Sequence, residues 1–241
     1  STIIKQEEFK MINNDLLYYI PSGEFGKEGV LGLLKTHPEI RFVSLVGIDL
    51  AGNDTDEKVP IELFLKNYDD FFAGTAVQTD GSSVVLMNIA TLNDARVDMV
   101  ADASVNWYID YNEDNLYSNG RPVGTLRIPC FLLHNGKFID SRSILKESCA
   151  FVAEKLKGLL ASGKPVKGME DLPVDEIEDI KFTIGTELEF WVKTPSETET
   201  VQHLSISQRL QEQYWQRMRG NVRTAMEEAI EELDARGMHV E

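Results

Sequence analysis

Two glutamates with one residue between them have the spacing that most directly suggests chemistry. Glu187 and Glu189 lie in the segment Gly185-Thr-Glu-Leu-Glu-Phe190. On a β-strand their side chains point to the same face, because successive side chains alternate. Paired carboxylates repel each other unless a cation lies between them, and oxygen ligands of this kind suit Mg²⁺ or Mn²⁺. On composition alone, a solvated strand face is the favoured interpretation.

Two further positions could contact a charged ligand. Asp80 opens the flexible segment Asp80-Gly-Ser-Ser83, where a short carboxylate beside a glycine can approach a cation closely. A plain turn is the favoured alternative, because Asp and Gly are common turn residues. Arg142 could hold a phosphate or a carboxylate in a fork, although a surface arginine near a helix start is the favoured interpretation.

The first half of the chain carries the pattern of a mostly β domain between residues 40 and 140. Apolar and β-branched runs predict strands at residues 42–48, 84–87, 103–109 and 126–133. Asn135-Gly136 lies between two apolar runs, which predicts a hairpin. Residues 111–120 are polar and predict a loop.

Helical periodicity replaces this pattern after residue 140. Asp140 is a predicted cap for a helix that Gly163 ends. Two apolar runs, residues 180–184 and 188–192, predict one long strand or a pair of strands. Apolar residues recur at spacings of three and four from Leu210 to Leu233, which predicts a long helix with one apolar stripe.

The composition excludes some classes of partner. Acidic residues outnumber basic residues by 40 to 24 and give a formal net charge of −16, so we expect no binding to nucleic acid or to anionic membranes. No run approaches the ~18 apolar residues of a membrane span. The two cysteines, Cys130 and Cys149, predict reduced thiols in a cytoplasmic protein.

Taken in order, these segments resemble the glutamine synthetase family. Asp49-Leu-Ala-Gly52 and Asp80-Gly-Ser-Ser83 resemble the family's D-x-x-G strand end and its D-G-S-S motif. The stretch Asp140-Ser-Arg-Ser-Ile-Leu145 is similar to D-P-R-S-I, and Gly185-Thr-Glu-Leu-Glu-Phe190 is similar to the G-x-E-x-E-F strand. Asp102 stands where the family has an aspartate after D-G-S-S.

The resemblance implies an activity and a role for each matched residue. The activity is ATP-dependent ligation of ammonia to L-glutamate through γ-glutamyl phosphate. Glu187 and Glu189 would each bind one of two active-site Mg²⁺ or Mn²⁺ ions, which hold the γ-phosphate of ATP and the glutamate carboxylate. Asp80 would help form the ammonium site and could take a proton from ammonium, and Asp94 would be a second acidic residue there.

The resemblance also implies a domain organisation within an α+β fold. Residues 1–37 would be an N-terminal extension, residues 38–140 a β-grasp-like domain, and residues 141–241 the opening strand and helices of the catalytic domain. The family forms rings with active sites between subunits, so we expect a homo-oligomer. The family's remaining metal, glutamate and phosphate ligands follow the position of Glu241, so we expect the chain shown to be an inactive fragment. Such a fragment should expose apolar surface and either self-associate or be marginally stable.

Two other functions remain open at this stage. One is a γ-glutamylamide synthetase that uses another amine, because such relatives share the same motifs. The other is a non-catalytic assembly or regulatory module that keeps the β domain. Retention of both glutamates ranks this last alternative lowest among full-length proteins.

Overall fold

The fold was analysed in a computed structural model, which describes residues 13–86, 96–171, 173, 176–187 and 220–240. Contacts divide the chain into two bodies. The larger comprises Ile20–Gly185, and the smaller combines Ser1–Tyr19 with Thr186–Glu241. The domain boundaries near residues 37 and 140 stay predictions.

A mostly antiparallel sheet forms the centre of the larger body, which gives a mixed α/β fold. Its strands are β1 (Tyr19–Ile20), β2 (Ile40–Val46), β3 (Glu57–Pro60), β4 (Gln78–Asp80), β5 (Arg96–Ala101), β6 (Trp107–Leu116), β7 (Pro122–His134) and β8 (Lys137–Phe138). The order is β1-β6-β7-β2-β3, and β5 pairs with both β4 and β7. The β-grasp arrangement stays a prediction.

Strand β7 organises this sheet because its two halves pair with different neighbours. The first half runs parallel to β2, with Leu126 opposite Val43, and antiparallel to β6, with Leu126 opposite Ile109. The second half pairs with β5, where Ala101 lies opposite Cys130. These apolar residues alternate along their strands and form the buried face of the sheet.

Four α-helices accompany the sheet in the described part of the larger body. They are α1 (Lys27–Thr36), α2 (Ile61–Lys66), α3 (Tyr68–Ala73) and α4 (Ser141–Ala161). Helix α2 packs on β2 and α3 packs on β5. Phe64 on α2 and Phe71 on α3 are fully buried, and their ring centroids lie 5.0 Å apart. The rings meet edge to face, which is an arrangement that aromatic pairs prefer.

The predicted Asn-Gly hairpin and the predicted cap of α4 are both confirmed. Asn135 and Gly136 adopt φ angles of 50° and 75° between β7 and β8, as a tight hairpin turn requires. Asp140 caps α4 by accepting hydrogen bonds from the backbone N–H and the hydroxyl of Ser143. Asp140 also accepts the N–H of Leu132, so one buried carboxylate joins the helix to β7.

Four predictions of secondary structure were wrong, three of them within the sheet domain. Residues 84–86 are not a strand, and the N–H of Val85 donates to the Asp49 carboxylate instead of to a neighbouring strand. The predicted polar loop at residues 111–120 is largely the continuation of β6 to Leu116, because pairing with β7 overrides the low strand propensity of its Asn, Asp and Glu residues. Strand β6 also begins only at Trp107, after a turn at residues 103–105.

The predicted strand at residues 180–184 is also absent, since residues 177–187 have no regular secondary structure. Residues 181–185 are exposed in this body, so their apolar side chains have no core to favour a strand. Residues 188–192 lie outside the described part of the chain.

The described part of the smaller body contains the C-terminal end of the predicted long helix. This end is helix α5 (Gly220–Asp234), whereas residues 210–219 of the predicted helix lie outside the described ranges. Gly237 follows with a φ of 71°, and a Cβ there would lie 2.8 Å from Cζ of Tyr19. Both the backbone angle and the close ring therefore require glycine. Among the described residues, no helix is both long enough and apolar enough to cross a bilayer.

Candidate functional site

Asp80 lies at an exposed turn that holds its carboxylate in the ionised form. It ends β4 and caps the single 3₁₀ turn Gly81–Ser83, where its Oδ1 accepts the N–H of Ser82 at 2.7 Å. The Ser82 side chain and backbone both donate to Asp80 and hold the pKa of its carboxyl below the ordinary value. A charged, accessible carboxylate of this kind can attract a cation.

Asp49 brings three of the motif segments together. Its buried carboxylate accepts the N–H groups of Ala51 and Asn53 within its own loop, and that of Val85 beyond the Asp80 turn, each at 2.9 Å. Its carbonyl accepts the hydroxyl of Ser141, at the start of α4. The segments beginning at Asp49, Asp80 and Asp140 therefore meet in one place.

The hydrogen bonds around Asp49 keep it charged despite its burial. Burial raises the pKa of Asp49, but bonds from the Asn53 side chain and from the N–H groups of Val85, Asn53 and Ala51 outweigh burial and lower the pKa. Because these donors occupy both oxygens, Asp49 serves as a structural anchor for the Asp80 turn.

Arg142 binds a carboxylate of the protein itself. Its Nη2 lies 2.5 Å from Oδ2 of Asp102, which is 4% exposed, and its guanidinium lies 4.9 Å from the ring centroid of Phe131. Ser104 also donates to Asp102 through its N–H and hydroxyl. Burial alone would raise the pKa of Asp102. The hydrogen bonds from Ser104 and the charge of Arg142 outweigh burial, so the pKa lies below its ordinary value. The sequence suggested a carboxylate partner for Arg142 but gave no reason to choose Asp102.

The residues expected to bind metal are not brought together in the described part of the chain. Glu187 is exposed, and residues 177–187 have no regular secondary structure. Glu189, its expected partner, and Asp94, the expected second residue of the ammonium site, lie outside the described residues. Among residues that the structure describes, no three His, Cys, Asp or Glu side chains form a group that could hold a metal ion, and the metal-binding role of Glu187 and Glu189 stays a prediction.

Cys130 is not a candidate nucleophile. It is buried on β7, and burial raises the pKa of its thiol to about 12, so it stays protonated at neutral pH. Cys149 is half-buried on α4, and both cysteines are free.

A polar cavity of about 380 Å³ adjoins the Asp80 turn. Its walls are the loop that follows Asp49 and the segment that follows Gly81; the lining residues are Asp49, Asn53, Asp54, Thr55, Asp56, Glu57, Thr79, Ser82, Ser83, Val84 and Val85. Asp80 is not among them. The sequence analysis missed this cavity, because its two walls are more than twenty residues apart in the sequence and only the folded chain brings them together.

Comparisons with known proteins give a structural neighbour to set beside this geometry. No protein family and no curated protein matches the sequence. A cryo-EM structure of glutamine synthetase from Plasmodium falciparum superimposes with a TM-score of 0.39 and 20% identity, over 55% of this chain and 24% of that chain. The chain therefore spans about a quarter of the length of that structure, which is a weak structural neighbour.

Proposed function

We propose that this chain contributes the ammonium-binding part of an ATP-dependent ligase that joins ammonia to L-glutamate through γ-glutamyl phosphate. The observation that carries the proposal is the geometry of Asp80, an exposed carboxylate kept ionised by Ser82. The convergence of the Asp49, Asp80 and Asp140 segments supports it, because residues that resemble separate motifs of one family also contact one another.

Asp80 binds ammonium in this proposal rather than acting as a strong base. A carboxylate whose pKa is lowered attracts a cation well, but it is a poor proton acceptor at neutral pH. Its contribution is therefore to concentrate ammonium next to the reacting carbonyl. The proton that ammonium loses before attack would pass to another group, and Asp94 is the residue that the resemblance offers.

The rest of the reaction is assigned to groups beyond the described geometry. Glu187 and Glu189 are the proposed ligands of Mg²⁺ or Mn²⁺ in the complete protein, and ATP and glutamate are its proposed substrates. A homo-oligomer is proposed because the resembled family builds its active sites between subunits. The cytoplasm is the proposed location.

The test is phosphate release by the full-length gene product, measured as a function of ATP, glutamate and ammonium. We expect Asp80→Asn to raise the KM for ammonium about tenfold or more while leaving the KM for ATP unchanged, because it removes the charge that attracts the cation. Asp114→Asn is the matched control, since this exposed aspartate on β6 lies outside the proposed site. We also expect Glu187→Ala to abolish activity.

A panel of amines separates the proposal from its closest alternative. Turnover with a larger amine but not with ammonium would identify a γ-glutamylamide synthetase. No phosphate release with ammonium or any amine, from a well-folded full-length protein, would contradict the ligase and favour a non-catalytic assembly module.

A further inference from the structure

Two Asn-Gly pairs occur in the sequence, and each lies at a tight turn. They are Asn119-Gly120, between β6 and β7, and Asn135-Gly136, between β7 and β8. In such a pair the backbone nitrogen of the glycine can attack the side-chain carbonyl carbon of the asparagine, because glycine has no Cβ to hinder the approach. An asparagine followed by glycine therefore loses its amide readily wherever the fold allows the two atoms to meet.

The turn at Asn135 leaves the reacting groups accessible. Asn135 and Gly136 are exposed, and among the described residues the N–H of Gly136 has no hydrogen-bond partner. The carboxamide of Asn135 donates from Nδ2 to Nε2 of His134 at 2.9 Å. Nδ1 of that ring lies 2.8 Å from the carbonyl oxygen of Arg96 and so carries the hydrogen, which leaves Nε2 as the acceptor. The nitrogen that would attack is thus free of protein partners in this part of the chain.

Little structure holds this turn closed. Strand β8 consists of two exposed residues, which pair with Leu133 and His134 of β7. Asn135 has a φ of 50°, which is uncommon for a residue with a side chain. The attack requires the backbone of Asn135 to rotate until the Gly136 nitrogen reaches the side-chain carbon. A turn flanked by so short a strand opens at a low cost in free energy.

Asn119 has the same neighbour in sequence but a closed environment. Its Nδ2 donates to the buried carboxylate of Glu39 at 3.2 Å, and its Oδ1 accepts the N–H of Arg121 at 3.0 Å. The N–H of Gly120, which would be the attacking group, donates to the carbonyl of Tyr117 at 2.9 Å. These three hydrogen bonds oppose the movement that would bring the reacting atoms together.

We propose that Asn135 is a site of spontaneous deamidation and that the fold protects Asn119 from the same reaction. The Gly136 nitrogen loses its proton and bonds to Cγ of Asn135, the bond from Cγ to Nδ2 breaks, and the amide leaves with that proton as ammonia. Water then opens the resulting succinimide ring at either carbonyl. The products are aspartate and isoaspartate, and each adds a negative charge to the turn. The reaction needs only water and does not depend on the proposed ligase activity.

Isoaspartate at this position would loosen the hairpin that leads into α4. It adds a methylene to the backbone, and a two-residue turn sets the register of the strands on either side of it. The pairing of His134 with Lys137 would therefore be lost. Phe138 of β8 packs against Phe131 of β7, with ring centroids 5.5 Å apart, so separation of β8 would expose both rings further.

The experiment is incubation of the full chain at mildly alkaline pH, with both asparagines followed in the same sample by peptide mapping and mass spectrometry. We expect Asn135 to deamidate about tenfold or more faster than Asn119 in the folded chain, because three hydrogen bonds hold the Asn119 turn. In the guanidinium-denatured chain the two rates should converge, since both asparagines precede glycine and the fold no longer distinguishes them.

Two results would overturn the proposal. One is deamidation of Asn119 in the folded chain as fast as that of Asn135, or faster. The other is an intact Asn135 in the folded chain after the denatured chain has lost most of its amide at that position.

Asn135→Gly is the matched control variant. It removes the carboxamide and keeps the turn, because Gly-Gly also suits a two-residue hairpin loop with two positive φ angles. The acidic species that ion-exchange chromatography resolves in the aged wild type should be largely absent from this variant. Acidic species that accumulate equally fast in both proteins would refute Asn135 as the main site.

Discussion

Glu39 shows how a single residue can join distant parts of this fold. Its side chain is fully buried, and it contacts Nδ1 of His37 at 3.0 Å, Nη1 of Arg121 at 3.2 Å and Nδ2 of Asn119 at 3.2 Å. Asn119 and Arg121 belong to the turn between β6 and β7, about eighty residues away. The carbonyl of Glu39 also accepts the N–H of Gly124 on β7.

The environment of Glu39 makes stability depend on pH in a definite direction. Burial raises the pKa of Glu39, but hydrogen bonds from its own backbone, His37, Asn119 and Arg121 outweigh burial and leave the pKa below its ordinary value. A carboxyl with a lowered folded-state pKa stabilises the fold above its unfolded pKa of ~4.3. That stabilisation is lost as the pH falls through the folded-state value.

We therefore predict that Glu39→Gln lowers the free energy of unfolding at pH 7 by roughly 1–3 kcal/mol, because it leaves Arg121 without a charged partner. The variant should also show a weaker loss of stability between about pH 5 and pH 3 than the wild type. Urea titrations across this pH range measure both effects. Glu62→Gln is the control, because its pair with Arg41 is exposed and should contribute under about 1 kcal/mol. Equal effects of the two substitutions would contradict the role assigned to Glu39.

Elements with strong local signatures could be predicted from the sequence, and elements decided by pairing could not. Asn135-Gly136 and the Asp140 cap carry their chemistry within a few residues, and both are confirmed. The polar half of β6 is a strand only because β7 lies beside it. Val84 and Val85 carry β-branched side chains, yet the carboxylate of Asp49 accepts the N–H of Val85. Neither outcome is encoded locally.

The same distinction applies to the candidate site. Asp80 could be found because its turn residues and its motif are contiguous. Asp49 is the residue that anchors that turn, yet it belongs to a separate loop, and its contact with Val85 spans 36 positions. The cavity formed by these two segments depends on tertiary structure alone, so the sequence did not reveal it.

The close packing of β2 against β7 predicts that a small residue is required just after β2. Gly47 follows β2, and a Cβ there would lie 2.6 Å from Cδ2 and 3.0 Å from Cγ of the buried Leu132 on β7. We expect Gly47→Ala to lower the free energy of unfolding by about 1–3 kcal/mol, because Leu132 cannot move without disturbing the core.

Gly32→Ala is the matched control for this substitution. Gly32 lies in the interior of α1, and no atom lies within 4 Å of a Cβ built there. The added methyl should stabilise the helix by about 0.5–1 kcal/mol. Chemical unfolding of both variants measures the two signs, and a Gly47→Ala protein as stable as Gly32→Ala would show that the contact with Leu132 is unimportant.

On the scale of the whole molecule, helix α4 leaves much apolar surface uncovered in the larger body. Its exposed fractions include 58% at Phe151 and 56% at Leu145, and the other exposed apolar residues of the helix are Ile144, Val152 and Leu159. Contiguous exposed apolar surface usually marks an interaction site. The net charge of −16 opposes association between copies, because like charges repel.

These two features predict self-association that increases with salt. Raising the ionic strength screens the repulsion between acidic copies and leaves the apolar attraction, so sedimentation velocity should show larger species at about 0.5 M NaCl than at about 0.02 M NaCl. The double variant Leu145→Lys and Phe151→Lys should stay monomeric at both concentrations, with an unchanged Tm, because both side chains are exposed. Glu154→Gln is the control for a change in charge on the same helix, since Glu154 is exposed and its substitution leaves the apolar surface intact. Association that weakens with added salt would show that charged surfaces join the copies. Association that persists in the double variant would show that the apolar surface of α4 does not join them.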